Sequence, residues 1–549
     1  MATMNRRTLA LAALAAGCAP SGARAEDVII HGGPIYTGVE AAPRAEAVRI
    51  SGGRFMSVGS LADARNGRRA REIDLAGAAA FPGFTDSHVH LTGVGMAAMV
   101  LDLVGVVSIA ELQQRLRDYA RTHPEGAIYG RGWIETHWPE RRFPNRTDLD
   151  AVVGDRPVFL ERIDGHAAVV NSAGLALAGI DANTANPAGG AIERDGAGAA
   201  TGMLIDNATA LVQSRLPAPT PAMIRQAIAE GARIYASRGW TGIANMSTSL
   251  AEAQIFEDLA RAGELPLRAD IYLTPEDSEV VMQRGPYGEG LVRVRGVKLY
   301  MDGALGSRGA ALLAPYSDAP TQGLLVTPVD ELRALLTRAR QARVQVATHA
   351  IGDRGNRLVL DAYRDTFADD PAALRAARWR IEHAQVVASE DISRFAAQGV
   401  IASMQPSHAI SDLHFAPARL GPDRLAGAYA WRALLDSGAT IAAGSDAPVE
   451  KGDPLIEFYA ASHRHDLSGF AGPDWRADEA VSRGEALRML TSAGAFACFA
   501  EAQRGAIAPG MRADLSAFSG DLMTAAPADI PRARAVLAVS DGRVTHEAL

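Results

Sequence analysis

The stretch FPGFTDSHVH, residues 81–90, has the pattern of a buried strand that runs into two histidines. Alternate residues of a strand share a face, so His88 and His90 point to the same side. Two imidazoles on one face can chelate Zn²⁺ or a similar metal. Neighbouring histidines are often incidental, however, so the meaning of this pair depends on what the rest of the chain places beside it.

Further strand-like apolar runs follow this one, alternating with Ala-, Leu- and Arg-rich helical patterns. The alternation predicts βαβ units on a parallel sheet, and eight strands close a (β/α)₈ barrel. We therefore expect an α/β fold built on a TIM-like barrel, with its reactive groups at the C-terminal ends of the strands. The eight predicted ends lie near His88, Asn245, Leu273, Lys298, His349, His383, Gln405 and Asp446.

Three later strands of this predicted barrel also end in metal-ligand side chains, namely His349, His383 and Asp446. A single buried His or Asp is an ordinary core residue with a satisfied hydrogen bond. Several of them at one end of an apolar barrel are costly to bury unless a metal satisfies them. The pattern therefore favours a divalent metal site, with zinc as the default and Mn²⁺, Fe²⁺ or Co²⁺ also suited to these ligands.

Lysine is rare in this chain, since only Lys298 and Lys451 occur among its 55 Lys and Arg residues. Lys298 ends the fourth predicted strand, where a salt bridge to Asp302 or Glu382 is the plain explanation. The alternative is that its neutral amine captures CO₂ as a carbamate, which arginine cannot do. A carbamate is an oxygen ligand able to bridge two metal ions, so the number of ions, one or two, stays open.

Short β-rich pieces with Gly-rich turns occur at both ends of the chain, outside the barrel. Their matching character predicts one small composite β domain formed by residues 26–80 and 495–549. The barrel then occupies residues 81–494. Residues from about 95 to 210 are too many for one connection, and we expect them to form an inserted subdomain after the first barrel strand that covers the site.

The first 25 residues are predicted to be a signal peptide. Arg6-Arg7 precedes a short apolar run, and Ala23-Arg24-Ala25 fits a cleavage site, so we expect export to the periplasm by a twin-arginine signal. The alternative is a lipoprotein, because LAAGC ends at Cys18 and resembles a lipidation box. Cleavage after Ala25 would leave Cys498 as the only cysteine, which excludes a disulfide framework.

Composition narrows the classes of partner. The net charge of −8 argues against a nucleic-acid binder. No internal run approaches the roughly 18 apolar residues that a membrane span needs, so no integral membrane span is expected. The expected partner is a small-molecule substrate, and oligomeric state is unconstrained.

Taken together, six motifs resemble the amidohydrolase superfamily, specifically the type-3 branch that includes N-substituted formamide deformylases. The motifs are PGFTDSHVH (82–90), VKLYMDGALGSR (297–308), HAIGD (349–353), IEHAQ (381–385), SMQPSH (403–408) and GSDAPV (444–449). The resemblance covers nearly all of the chain after residue 26. It implies the barrel and composite β domain, a metal centre of His88, His90, carboxylated Lys298, His349 and His383, and Asp446 as the catalytic acid/base.

The same resemblance suggests substrate contacts. ERIDGH (161–166) of the insertion implies that Asp164 and His166 face the substrate. Gln405, His408 and Arg308 follow barrel strands and are candidates for orienting it, although a structural role is as plausible for the last two.

Two positions depart from the family pattern. Asn245 stands where we expect Asp or His, and Asp206 stands where relatives often have Glu. Both fall where a substrate-facing wall is expected, so they affect the predicted specificity rather than the metal chemistry.

The sequence thus predicts a metal-dependent hydrolase that cleaves a non-peptide carbon–nitrogen bond, such as that of an N-formyl or N-acyl amide, through a metal-activated hydroxide. An esterase, lactonase or cyclic amidase on the same barrel is the alternative within enzymes. A different class also stays open, an extracytoplasmic metal- or ligand-binding protein without catalysis.

Overall fold

The computed structural model describes residues 27–67, 69–135, 138–163, 165, 167–187, 190–472 and 475–549. The predicted signal peptide with Cys18 lies outside these residues, as do Asp164 and His166, and the side chain of Asp206 is not described either. In the described part of the chain, no helix is both long enough and apolar enough to cross a membrane.

The strands form three sheets. In chain order they are β1 (Val28–Tyr36), β2 (Arg44–Ser51), β3 (Arg54–Gly59), β4 (Arg71–Asp74), β5 (Ala79–Pro82), β6 (Phe84–Val89), β7 (Leu101–Asp102), β8 (Ile128–Trp133), β9 (Val158–Arg162), β10 (Ala167–Val170), β11 (Gly190–Arg194), β12 (Ala200–Asp206), β13 (Trp240–Thr248), β14 (Arg268–Leu273), β15 (Val292–Tyr300), β16 (Gln345–Ala350), β17 (Arg380–His383), β18 (Ile401–Met404), β19 (Ile441–Ala443), β20 (Leu515–Phe518), β21 (Ala535–Ser540) and β22 (Arg543–Glu547).

The α-helices connect and cover these strands. They are α1 (Leu61–Arg65), α2 (Leu91–Met99), α3 (Ile109–Thr122), α4 (Arg146–Asp150), α5 (Ser172–Ala178), α6 (Thr209–Gln213), α7 (Pro221–Ser237), α8 (Leu250–Ala262), α9 (Glu279–Arg284), α10 (Val329–Ala342), α11 (Asp353–Thr366), α12 (Pro371–Ala377), α13 (Ser389–Gln398), α14 (Pro406–Asp412), α15 (Ala416–Leu420), α16 (Trp431–Asp436), α17 (Pro454–His463), α18 (Arg483–Leu490) and α19 (Ser492–Ala497).

The predicted barrel is confirmed. Eight strands pair in the order β19-β18-β17-β16-β15-β14-β13-β6, and every neighbouring pair is parallel. Between β19 and β6, the remaining gap is joined by two backbone hydrogen bonds. Asp446 N donates to His88 O at 2.7 Å and His90 N donates to Ala447 O at 2.9 Å. The first and last strand ends are therefore held side by side at the mouth.

The composite β domain formed from both termini is also confirmed. Its sheet has the order β22-β21-β20-β5-β1-β2-β3, so it draws strands from both ends of the chain. β4 pairs with the first half of β1, on the edge opposite β2, where β5 pairs further along. Its core includes Val48 and Phe55 from the first segment and Leu537 from the last. The sheet is tied to the base of the barrel by Arg268 at the start of β14, whose buried guanidinium pairs with Asp514 and Asp541.

The inserted subdomain follows the first barrel strand, as predicted. Its six strands pair in the order β11-β12-β10-β9-β8-β7, and the chain enters it from α2 and leaves it into α7. These two helices cross closely at two glycines. A Cβ added at Gly95 would lie 1.7 Å from Ala227 O, and one at Gly231 would lie 2.5 Å from Leu91 O. The absence of these side chains lets the helices hold the insertion close to the barrel.

Candidate metal centre

The five predicted metal ligands converge at the mouth of the barrel. Lys298 Nζ lies 3.2 Å from His88 Nε2. The ring centroids are 4.9 Å apart for His88 and His383, 4.6 Å for His349 and His383, and 5.5 Å for His88 and His90. Side chains from β6, β15, β16 and β17 are thus brought into one cluster.

Asp446, from the loop after β19, completes this cluster. Its Oδ1 lies 3.4 Å from Nε2 of His88 and 3.4 Å from Nε2 of His90. Ligand atoms of His88, His383 and Asp446 all lie within 4.8 Å of one another, and all three residues are buried. Two imidazoles and a carboxylate at this spacing suit a divalent cation such as Zn²⁺.

Two of the imidazoles are oriented by acceptors behind them. His88 Nδ1 lies 2.6 Å from Glu382 Oε2, and His383 Nδ1 lies 2.7 Å from Gln405 Oε1. The amide orientation of Gln405 is consistent with this, because its Nε2 donates to Ser403 O. Each acceptor favours a proton on Nδ1 and leaves the Nε2 lone pair free for a metal.

Glu382 is itself held by a fully buried arginine. Arg380 Nε donates to its Oε1 at 2.5 Å, and Arg380 Nη2 donates to its Oε2 at 3.0 Å. Burial alone would raise the pKa of Glu382, but Arg380 and then His88 outweigh it and hold this pKa at about 2. The sequence interpretation treated Glu382 only as a salt-bridge partner for Lys298. The available signal was that residues 380 and 382 alternate onto one face of the strand.

The protonation states suit metal binding. Burial, followed by the charge of Lys298, lowers the pKa of His88 to about 4 and that of His349 to about 3. Burial also holds the pKa of His383 well below its usual range. For Asp446, burial acts upward, but His88 and its neighbours hold the pKa well below the usual range. At neutral pH His88, His349 and His383 are therefore neutral imidazoles, and Asp446 is an ionised carboxylate.

Among the described residues, two of these groups, His349 and Lys298, lack the partner that such a buried polar group usually has. His349 Nε2 is buried without a hydrogen bond and lies 3.6 Å from Asp302 Oδ1. Lys298 is 1% exposed, and no carboxylate of the described residues lies within ion-pairing distance of it. Unsatisfied buried polar atoms cost about 1–3 kcal/mol each. A divalent cation would accept these lone pairs, so the donor set fits the metal that the sequence predicts.

The backbone is unusual at two of these side chains. His383 has φ 74° and Asp446 has φ 56°, and both are non-glycine residues in the left-handed region. This conformation is disfavoured for L-residues and occurs preferentially at functional sites. Here it ends β17 and follows β19, at the points where the chain must turn a side chain toward the centre of the mouth.

Asp302 was not singled out as a functional residue from the sequence, yet it shapes the wall beside His349. Its carboxylate accepts backbone N–H groups of Ile351, Gly352 and Ala311 at 2.8–2.9 Å. Burial raises its pKa to about 7, although these hydrogen bonds act in the opposite direction. Asp302 therefore fixes the turn that follows β16 and, with it, the position of His349.

Of the predicted substrate residues that the structure describes, two lie beside the metal ligands and one does not. His408 stacks on His383 with ring centroids 5.9 Å apart, and its buried Nε2, which has no hydrogen bond, lies 3.7 Å from Asp446 Oδ2. Gln405 contacts His383 through its Oε1, at 2.7 Å from Nδ1 of the ring. Arg308 pairs with Asp318, and none of its described contacts reaches the cluster.

Asn245, which departs from the family pattern, has both ends of its amide in use. Its Oδ1 accepts the backbone N–H of Leu91 at 2.7 Å, and its Nδ2 donates to Thr248 Oγ1 at 2.7 Å. The side chain thus connects β13 to the first turn of α2. This explains an amide here, because the position needs one donor and one acceptor.

Comparison with known proteins identifies the family. Residues 71–546 match the sequence model described as the amidohydrolase family. The chain belongs to this family. The protein YtcJ of Bacillus subtilis (strain 168) is 34% identical over 94% of the chain and 99% of its own length. N-substituted formamide deformylase of Arthrobacter pascens is 28% identical over 92% of the chain and 95% of its own length.

A solved structure of a metal-dependent hydrolase shows the same fold. An uncharacterised metal-dependent hydrolase from Pyrococcus horikoshii OT3 superposes with a TM-score of 0.76 and 28% identity, covering 91% of the chain and 99% of the other. The predicted family resemblance and enzyme class, a hydrolase of carbon–nitrogen bonds other than peptide bonds, are therefore confirmed.

Proposed function

We propose that this amidohydrolase hydrolyses the carbon–nitrogen bond of an N-formyl or N-acyl amide in a metal-dependent reaction. The observation that carries the proposal is the convergence of two neutral buried imidazoles, His88 and His383, with ionised Asp446 on one space, and with neutral, partly buried His349 beside them. The similarity to N-substituted formamide deformylase along nearly the whole of both chains supports the choice of scissile bond.

In this proposal His88, His90, Lys298, His349 and His383 hold one or two divalent ions, with zinc as the expected metal. A bound divalent ion supplies Lewis acidity toward the substrate carbonyl and lowers the pKa of water. Glu382 and Gln405 fix the orientation of the His88 and His383 rings, so the geometry of these ligands is set before substrate binds.

Asp446 is the proposed acid/base. Its pKa well below the usual range makes it a carboxylate at neutral pH, ready to take the proton of the attacking water. It then gives that proton to the departing amine nitrogen. Its Oδ2 faces His408, and we propose that His408, together with Asp164 and His166 of the insertion, contacts the substrate.

We also propose that Lys298 is carboxylated. Its neutral amine would add to CO₂ with loss of one proton, replacing a cation by an anionic oxygen ligand. In support, Nζ is buried beside His88 and has no carboxylate partner among the described residues. Exchange into ¹³C-bicarbonate should give one carbamate carbon resonance by NMR, and Lys298→Arg should lack it. A spectrum without this signal in metal-loaded protein would refute carboxylation.

We further propose that the chain is exported, with cleavage after Ala25. This rests on the sequence alone, through Arg6-Arg7 and the small residues before Glu26. N-terminal sequencing of protein from a periplasmic extract should begin at Glu26. A lipid-modified N-terminus at Cys18 would support the lipoprotein alternative instead.

The test of function combines elemental analysis with a hydrolysis screen of N-formyl, N-acyl amino acid, ester and lactone panels. Asp446→Asn should lower turnover per bound metal by about 10²–10⁴-fold, the usual contribution of a positioned acid/base. The matched control is Asp436→Asn, whose carboxylate is 65% exposed and pairs with Arg432. Faster turnover of esters or lactones than of amides would overturn the proposed bond, and unchanged turnover in Asp446→Asn would overturn the mechanism.

A further inference from the structure

A cavity lies at the opposite end of the barrel from the metal centre. Its volume is about 540 Å³, and it is lined by Arg295 of β15, by Val344 and Gln345 where β16 begins, and by Trp379 just before β17. These three strands carry Lys298, His349 and His383 toward their other ends. The cavity is therefore separated from the metal centre by the interior of the barrel.

The walls of this cavity combine aromatic rings with arginines. Phe499 and three alanines of α12, Ala373, Ala376 and Ala377, form the accessible apolar part, with buried Phe367 and Trp379 behind it; Arg295, Arg340 and Arg343 contribute positive charge. The only acidic lining residue in the described chain is Asp370, and its side chain is engaged in capping α12 by accepting the N–H of Ala373. The lining is thus net positive by two charges.

Arg295 is the least satisfied of these arginines. It is partly buried, its Nε has no hydrogen-bond partner, and no carboxylate of the described residues pairs with it. Its guanidinium carbon lies 4.7 Å from the ring centroid of Phe499. Buried donors without an acceptor are uncommon because each costs free energy. Arg295 therefore lines the cavity with a guanidinium that has no hydrogen-bond acceptor among the described residues.

The other two arginines of the cavity differ from Arg295 in their partners and exposure. Arg340 already pairs with Asp369 and lies over the ring of Phe367 at 4.9 Å. Arg343, at the exposed rim, has no ion-pair partner among the described residues and a left-handed backbone with φ 55°. Arg295, partly buried, and Arg343, exposed, thus line one cavity without an ion-pair partner among the described residues.

We propose that this cavity binds a small organic anion that has a carboxylate and an aromatic or apolar body. The carboxylate is held by Arg295 and Arg343, whose planar donor groups match its geometry. The body packs on Phe499 and on the alanines of α12. This site is distinct from the metal centre, and its occupancy does not depend on the hydrolytic activity.

The probe is benzoate, titrated by calorimetry into the metal-loaded full chain, with benzamide and inorganic phosphate as comparisons. Benzoate should bind one equivalent at this site. Benzamide lacks the charge and phosphate lacks the apolar body, so each should bind at least about tenfold more weakly. Absence of benzoate binding, or equal binding of benzamide, would overturn the proposal.

Variants show whether the measured heat of benzoate binding comes from this cavity. They are needed because the metal centre also attracts carboxylates. Arg295→Gln should weaken benzoate binding about tenfold or more. The control Arg338→Gln lies on α10 with a surface partner, Glu279, and should bind as the parent does. Ala376→Trp, which fills the cavity from α12 and leaves all three arginines in the sequence, should abolish binding and keeps the test open if Arg295→Gln fails to fold. Benzoate binding unchanged in both cavity variants would place it elsewhere.

Discussion

The substitution Glu382→Gln tests whether the carboxylate of Glu382 orients His88 or only stabilises the barrel. The wild-type carboxylate accepts from two donors, His88 Nδ1 on one side and Arg380 on the other. Glutamine has almost the same shape but only one acceptor oxygen. Its NH₂ group must then face one of two donors, so either the imidazole or the guanidinium loses its acceptor.

The size of the effect follows from these contacts. A hydrogen bond to a charged group contributes about 1.5–3 kcal/mol, and breaking a fully buried ion pair costs about 3–5 kcal/mol. Arg380 keeps two other acceptors at 2.5 Å, the carbonyl of Ser87 and the hydroxyl of Ser403. We therefore expect the free energy of unfolding to fall by about 2–3 kcal/mol. Metal affinity should fall about 10–100-fold, as is usual when the partner of a ligating histidine is lost.

The assay is a competition titration of Zn²⁺ against a chromophoric chelator, run alongside urea unfolding of the metal-free protein. Glu485→Gln is the matched control, because Glu485 also forms a two-point pair with an arginine, Arg432, but contacts no predicted ligand in the described structure. It should leave the Zn²⁺ affinity unchanged. If Glu382→Gln loses stability but binds Zn²⁺ within about twofold of the parent, the orienting role is wrong.

Three further predictions concern the surroundings of the site. Gln405→Leu should weaken Zn²⁺ binding about tenfold, because it removes the hydrogen-bond acceptor of His383. Gln405→Glu should retain the Zn²⁺ affinity of the parent. If Gln405→Leu instead raises KM at unchanged metal content, the amide contacts the substrate and does not orient His383. Arg131→Ala should raise KM at constant metal content, because Arg131 Nη1 donates to Pro448 O at 3.0 Å and ties β8 of the insertion to the loop after β19; an unchanged KM would contradict this. In metal-free protein the stability deficit of Glu382→Gln should shrink as pH falls from 4.5 toward 2, since the pKa of Glu382 is lowered to about 2 on folding and its contribution is lost in that window; urea unfolding at pH 7 and pH 3 checks this.

The barrel and the convergence of its ligands were predictable because the topology of a parallel barrel determines where its strands end. In a parallel barrel all strands end at one rim, so His88, Lys298, His349 and His383 need only close their own strands to meet. Each position could be read locally from an apolar run and the residue that ends it. No knowledge of which strand faces which was required for this part of the prediction.

The supports behind the ligands could not be predicted in the same way. Glu382 reaches His88 across the barrel, from a residue 294 positions away in the chain, and Gln405 reaches His383 from the next strand. Gln405 was interpreted as a substrate residue because it follows a strand, and a strand end alone does not say whether an amide faces inward or sideways. These assignments need the distances between side chains of different strands.

The backbone at β17 shows why strand periodicity fails at the site itself. Glu382 and His383 are consecutive, so simple alternation would place them on opposite faces. Both nevertheless reach the cluster, because His383 leaves the strand with φ 74° and Ala384 continues at φ 42°. Glycine would adopt these angles without strain, but it offers no ligand atom, so the site requires a side chain in a conformation disfavoured by about 1–2 kcal/mol. The same conflict occurs at Asp446 with φ 56°. A sequence rule that assigns left-handed turns to glycine would miss both positions, and such positions are therefore where structure adds most to a prediction of function.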